Sequence, residues 1–396
     1  MPCSGIQSQP RGGPFLGEEP SIISIHPTYD STGWDHAHNL PFVEILVIEA
    51  RRTLPYTVKL ESYIPMVLFD RKTELDFPSF GIEIPTFDSR KSNALSALSR
   101  NLKLKEARSR WLIEGFEDIY TLDDLLRVNT KDYASGFFDS RAEERLISAF
   151  ELVNSDGNHN RWKPENACKP LRELVPRLLK MEAGTYRASR IALDRGFCHY
   201  LGGGAHHGHR DFGHGFCPLN DTALAIRKLQ TERVVNGVWV IDLDAHKGDG
   251  TAAIFAKREE VTTLSIHMAR GWPIDGSLPK NHPSWIPSDI DVPIESGEER
   301  WYLERLEDAY RKLESVSRPD LAIVLAGADP WENDALTSTK LINLSFEEIT
   351  QRDRLTYLFL ERAGVPSIWL TAGGYGEDAW QIHASFLEWA LQRRLD

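Results

Sequence analysis

The 396-residue sequence predicts an α/β protein, a single large three-layer domain with a mostly parallel central sheet and helices on both faces. Two observations predict it. Short, uniformly apolar runs recur along the chain, as strands buried on both faces require. Between them lie stretches whose apolar residues follow the helical period, and strands alternating with helices build parallel sheets. The runs are Ile64–Phe69, Val238–Leu243, Val261–Ile266, Leu321–Ala326 and Val365–Thr371, and the clearest helical stretches are Thr222–Leu229 and Phe346–Arg362. Residues 1–20 read as a flexible leader. Residues 21–63 read as an N-terminal extension, with an apolar run at Pro41–Ala50 and an alternating stretch from Tyr56, to which no chemistry attaches. Residues 64–396 form the predicted functional domain.

Composition narrows the partners. The chain carries 46 basic against 58 acidic side chains, a net charge of −12. A phosphate-tracking surface needs a basic stripe, so no nucleic-acid partner is expected. No run reaches the roughly 18 apolar residues of a membrane span, and the first residues lack the basic and apolar regions of a signal peptide. No membrane partner is expected. Cys3, Cys168, Cys198 and Cys217 are scattered without CxxC spacing. That argues against a disulfide framework and for a reducing, cytoplasmic location.

In open parallel sheets ligands bind at the carboxyl ends of the strands, so the residues following each apolar run come first. The run at 238–243 leads into Ile241-Asp-Leu-Asp-Ala-His-Lys-Gly-Asp-Gly250. Asp242, Asp244 and His246 are spaced by two and project to one side of an extended strand end. The run at 321–326 leads into Gly327-Ala-Asp329-Pro, which adds a carboxylate. Aspartate and histidine suit a zinc-type ion, and three protein ligands with a fourth position open make a catalytic site. Taken singly, each aspartate equally fits a turn. A second segment is Leu201-Gly-Gly-Gly-Ala-His206-His207-Gly-His209, followed by Gly213-His-Gly-Phe-Cys-Pro-Leu-Asn220-Asp221. Adjacent histidines diverge on extended backbone, but a loop bent at glycine can turn both into one cavity. His199, His209 and His214 read as ordinary structural histidines. A third segment, Thr371-Ala-Gly-Gly-Tyr375-Gly, sets a tyrosine at a strand end. There it can donate to a developing oxyanion or simply pack on a turn.

These three segments, in this order, resemble the zinc-dependent histone deacetylase superfamily, over roughly Ile64 to Leu391. Gly184-Thr-Tyr-Arg-Ala-Ser-Arg-Ile-Ala-Leu and Gly215-Phe-Cys agree with it. Phe80–Ser89, Val128–Tyr133, Ile241–His246 and Gln351–Leu355 make the chain most similar to class IV enzymes and their prokaryotic deacylase relatives. The resemblance implies the arginase/deacetylase fold, with Asp244, His246 and Asp329 as ligands of one catalytic zinc. It implies His206 and His207 as the active-site pair, backed by Asp242 and Asp249, and Tyr375 as the carbonyl-polarising residue. Gly215, Phe216, Trp272 and Gly374 would line the substrate channel. A structural potassium ion is also implied, held mainly by backbone carbonyls around Asp242, Asp244, His246 and Ile266 with the Ser265 hydroxyl. Two departures concern the rim: Ile84-Pro-Thr-Phe-Asp88 replaces the family's His-Pro-Phe-Asp, and Val128-Asn-Thr replaces its Val-His-Thr.

The implied activity is hydrolysis of acyl groups, acetyl or longer, from the ε-amine of lysine, with hydroxamates as expected inhibitors. Three other readings stay open. The arginase family shares the architecture, although Gly327-Ala-Asp329-Pro offers one aspartate where a two-manganese site needs more. Acetylpolyamines are an alternative substrate. A catalytically weak acyl-lysine-binding protein is the third.

Overall fold

The computed structural model describes residues 66–395. The expected leader and extension, with Cys3, Ile64 and Pro65, lie outside the described residues. Eight strands form one sheet: β1 Met66–Phe69, β2 Leu112–Glu114, β3 Phe197–Tyr200, β4 Val238–Asp242, β5 Val261–Met268, β6 Ile290–Ile294, β7 Leu321–Leu325 and β8 Ser367–Leu370. Their order is β2-β1-β3-β8-β7-β4-β5-β6. Every pairing is parallel, beyond the mostly parallel expectation.

The five apolar runs became β1, β4, β5, β7 and β8. Three strands had no such signal, for physical reasons. β2 is a three-residue edge strand. β6 is the other edge, buried only at its ends, so it tolerates Asp291 and Pro293, which has no N–H to donate. β3 lies inside the sheet, but its Phe-Cys-His-Tyr sequence mixes polar and apolar groups.

The principal helices are α1 Ser89–Leu98, α2 Leu174–Arg195, α3 Asp221–Thr231, α4 Asp249–Phe255, α5 Tyr302–Glu314, α6 Phe346–Ala363 and α7 Trp380–Leu395. α6 begins at a capping box, with the Ser345 side chain on the Glu348 N–H and the Glu348 carboxylate on the Ser345 N–H. It ends at Gly364, whose φ of 62° favours glycine. Successive strand residues face opposite sides, and the core divides accordingly. Leu68, Val240, Ile323 and Ile368 pack with Leu178 of α2 and Leu224 and Leu229 of α3. Val67, Trp239, Ile241, Val324 and Trp369 pack with Leu306 of α5, Phe359 of α6 and Phe386 of α7. The sheet is thus the middle of three layers. Among the described residues no helix is long and apolar enough to cross a membrane, and Cys168, Cys198 and Cys217 are free thiols.

His199 on β3 faces His383 of α7, with ring centroids 5.8 Å apart. Both are buried, and among the described residues neither ring nitrogen of His199 has a hydrogen-bond partner. Burial pushes His199 down to about 3, so the folded protein keeps it neutral. The unfolded chain binds that proton below about pH 6.5, so stability falls as pH drops from there towards 3. Between pH 7 and 5 this one group costs about 2 kcal/mol. His199→Leu should therefore flatten the pH dependence. Denaturant titrations at pH 7 and pH 5 check it, and equal losses in both proteins would refute it.

Candidate active site

Four adjacent strands in the middle of the sheet, β3, β8, β7 and β4, end side by side, and the three segments singled out in the sequence leave from their carboxyl ends. Asp242 is the last residue of β4, with Asp244 and His246 just beyond it, and Asp329 follows β7. Ligand atoms of Asp244, His246 and Asp329 all lie within 4.8 Å of one another. His246 Nδ1 is 3.2 Å from Asp244 Oδ1 and 3.1 Å from Asp329 Oδ2. Backbone N–H groups hold both carboxylates: Ala245 donates to Asp329 at 3.1 Å and Gly373 to Asp244 at 2.9 Å. Gly327 and Gly373 are obligatory here. A Cβ on Gly327 would stand 2.7 Å from oxygens of both aspartates, and one on Gly373 would stand 2.4 Å from Asp244 Oδ2.

The trio is almost wholly buried, and its aspartates pair with histidines rather than with lysine or arginine. Burial and the adjacent Asp244 carboxylate push Asp329 up to about 7. Two carboxylates buried side by side repel each other, as the rise of Asp329 records. A divalent ion fits both that repulsion and the oxygen–nitrogen donor set.

The His206–His207 loop leaves β3 through Gly203 and Gly204, at φ 71° and 93°. The bend brings the two imidazoles to 3.9 Å between centroids. His206 Nδ1 is 2.7 Å from Asp242 Oδ2, and His207 Nδ1 is 2.6 Å from Asp249 Oδ1. Their electrostatics diverge. Burial opposes a charge on His206, but Asp242 and Asp244 outweigh it and push the imidazole up to about 10. Burial and the neighbouring His206 push His207 down to about 3.

Asp249 serves more than His207. Its other oxygen takes His209 Nε2 and His214 Nε2, each at 3.0 Å, and the Ser284 hydroxyl. Burial opposes its ionisation, yet the three histidines hold it well below the usual carboxylate range. By sequence His209 and His214 are ordinary structural histidines, but the structure places both on the carboxylate behind His207. The signal available was density: His206, His207, His209 and His214 fall within nine residues.

Tyr375 follows β8, half-buried, its ring 6.3 Å from that of Phe216. Desolvation, with Asp329 and Asp244 nearby, keeps its phenol well above the ordinary value, so it remains a donor. Its loop is fastened from outside. Arg90 of α1 donates to the carbonyls of Gly374 at 2.7 Å and Ala372 at 3.1 Å, and the Tyr375 N–H donates to Asp334 at 2.7 Å. Neither Arg90 nor Asp334 carried a sequence signal. Trp272 lies 4.7 Å from His207 between centroids. Gly215 permits this, because a Cβ there would come within 2.4 Å of the indole. The departure at Val128-Asn-Thr has a local purpose, since Asn129 Nδ2 donates to the carbonyls of His209 and Arg210. Ser265 and Ile266 lie on β5, with Ser265 in register with Asp242 and its hydroxyl accepting the Gly248 N–H at 3.4 Å.

Residues 85–388 match the family described as the histone deacetylase domain. The chain belongs to the histone deacetylase family. Among curated relatives it is 29% identical over 265 residues to histone deacetylase 2 of Arabidopsis thaliana, covering 67% of this chain and 64% of that protein. It is 33% identical over 186 residues to the acetoin utilization protein AcuC of Bacillus subtilis, covering 46% and 47%. The chain thus spans less than two thirds of the length of these relatives. A crystal structure of acetylpolyamine aminohydrolase from Burkholderia pseudomallei shares the fold, with a TM-score of 0.60 at 17% identity over 83% of this chain and 99% of that one. This deacetylase family is zinc-dependent, in keeping with the buried Asp244–His246–Asp329 cluster.

Proposed function

We infer that this chain removes acyl groups, acetyl or longer, from the ε-amine of lysine in proteins or peptides, in the manner of class IV enzymes. The observation that carries this reading is the convergence of two His–Asp pairs on the Asp244–His246–Asp329 trio. Those three residues would hold zinc, which when bound polarises the acyl carbonyl and makes a water more acidic. The remaining work belongs to side chains. Asp249 fixes the Nδ1 proton of His207 and leaves Nε2 free to accept a proton from the attacking water. The same nitrogen passes that proton to the lysine amine as the amide C–N bond breaks. His206, held charged by Asp242, supplies a fixed positive field beside the growing oxyanion. The Tyr375 hydroxyl donates to that oxygen. Phe216 and Trp272 flank the alkyl stem, and Gly215 and Gly374 let the channel walls approach it. A structural potassium ion beside Asp242 and Ser265 belongs to the same reading.

A zinc-supplemented panel of peptides bearing acetyl- to octanoyl-lysine, together with acetylpolyamines, tests the substrate. The peptides should turn over, with kcat/KM held or rising with chain length, since each buried methylene contributes up to about 0.8 kcal/mol. A steady fall from acetyl to octanoyl would remove the longer-acyl reading. Turnover of polyamines alone would replace lysine as the substrate.

A further inference from the structure

The loop that turns His206 and His207 into one cavity is gripped from behind by Asn220 and Asp221, the residues that start α3, and neither has a part in the reaction above. Both are fully buried. Asp221 accepts the consecutive N–H groups of Gly204 at 2.9 Å and Ala205 at 2.8 Å, one on each oxygen, and the Thr185 hydroxyl as well. Asn220 caps α3 by accepting the Ala223 N–H at 2.9 Å. Its amide donates to the carbonyls of His206 at 3.3 Å and Gly208 at 3.2 Å, and to Thr251 Oγ1 at 3.0 Å. Thr251 returns a backbone N–H to the His206 carbonyl at 3.0 Å. The packing is equally close. A Cβ on Gly208 would stand 2.4 Å from the Leu219 carbonyl carbon, and one on Gly250 would stand 2.4 Å from the Gly208 carbonyl oxygen.

The geometry points to Asn220 and Asp221 as positioning residues for the histidine pair. They fix N–H groups before the imidazoles and carbonyls between and after them, so both side chains must leave the loop on the same side. The pairing suits each residue's chemistry. Two adjacent N–H groups need an acceptor on both arms, which a carboxylate provides and an amide does not. Two carbonyls need a donor, which only the asparagine provides. A displacement of about 1 Å at a reacting group costs on the order of 10²-fold in rate. The role rests on the proposed deacylase reading, and its test keeps the two apart.

Asp221→Asn keeps the shape but turns one acceptor into a donor facing an N–H. With active sites counted by hydroxamate titration, its kcat should fall about 100-fold, with KM within twofold and zinc content unchanged. Thr185→Val, which removes only the hydroxyl on Asp221, should show a smaller fall, and Thr185→Ser should restore wild-type kcat. Ser345→Ala removes a helix cap remote from the loop and should leave kcat per site unchanged. Should Asp221→Asn fail to fold, the Thr185 pair decides. The inference is overturned if kcat per titrated site stays within threefold of wild type in Asp221→Asn, or, failing that variant, if Thr185→Val equals Thr185→Ser. If the wild-type protein turns over no acyl amine, the deacylase reading fails instead. Imidazole N–H proton resonances of the His206–Asp242 and His207–Asp249 bonds then decide: a shift or loss in Asp221→Asn upholds positioning, and unchanged resonances refute it.

Discussion

Asp329→Ala should abolish deacylase turnover and metal retention together while the protein stays folded. The separation follows from where Asp329 sits. It lies in the loop after β7 and contacts the backbone of Ala245 and the ring of His246, whereas the apolar contacts that hold the sheet come from the strand itself, Leu321–Leu325. In the metal-free protein burial raises Asp329, and repulsion from the Asp244 carboxylate raises it further. Deleting one carboxylate relieves that repulsion and removes a ligand at the same time. The wild type should therefore lose thermal stability on chelation, because an ion at a hundred times its Kd contributes about 2.7 kcal/mol. The variant should melt at or above the chelated wild type and ignore the chelator. Metal analysis should find close to one zinc per wild-type chain and almost none in the variant. Two manganese ions per chain would revive the arginase reading, and stoichiometric zinc in the active variant would remove Asp329 from the ligand set.

Tyr375→Phe should lower kcat by about 10²–10³, the usual cost of one oxyanion donor, with little change in KM. The ring persists, so its approach to Phe216 at 6.3 Å and the backbone bond to Asp334 survive. What disappears is a donor that matters once the carbonyl oxygen carries charge, so the loss appears in kcat rather than in binding. His207→Ala should be at least as damaging, because it removes the proton acceptor itself. Both variants should still bind a hydroxamate. Retention of more than about a third of wild-type kcat by Tyr375→Phe, well outside that range, would reduce Tyr375 to a turn residue.

How much of this was legible in the sequence depends on the range of the interaction. Strands buried on both faces announce themselves, as Leu321–Leu325 does, because burial admits only apolar residues. Edge strands such as Leu112–Glu114 are constrained on one side or hardly at all. Asp242, Asp244 and His246 were legible because they follow one another at a two-residue spacing at and just past the end of a single strand. Arg90 was not, since it lies 284 residues from the carbonyl it holds and leaves no local pattern. His209 and His214 were visible as histidines but not as partners of Asp249, because that contact depends on how the loop folds back. The grip of Asn220 on the loop was hidden for the same reason.

The strand order carries a consequence for how the chain is made. β1, β2 and β3 are neighbours, and so are β4, β5 and β6, but the two trios touch only through β7 and β8. A nascent chain that has emerged as far as residue 320 can therefore assemble two three-stranded sheets whose strands do not pair with each other. Each exposes an inner border, β3 on one and β4 on the other, with unpaired backbone groups along an apolar strand, the kind of surface that recruits other chains. β8 pairs with β3 and β7 pairs with β4, so the last two strands, joined through α6, close the gap like a keystone. Asp329 and Tyr375 ride on that closing segment. The proposed reactive centre is thus completed by the same event that seals the sheet, and a chain truncated before Leu321 would have neither.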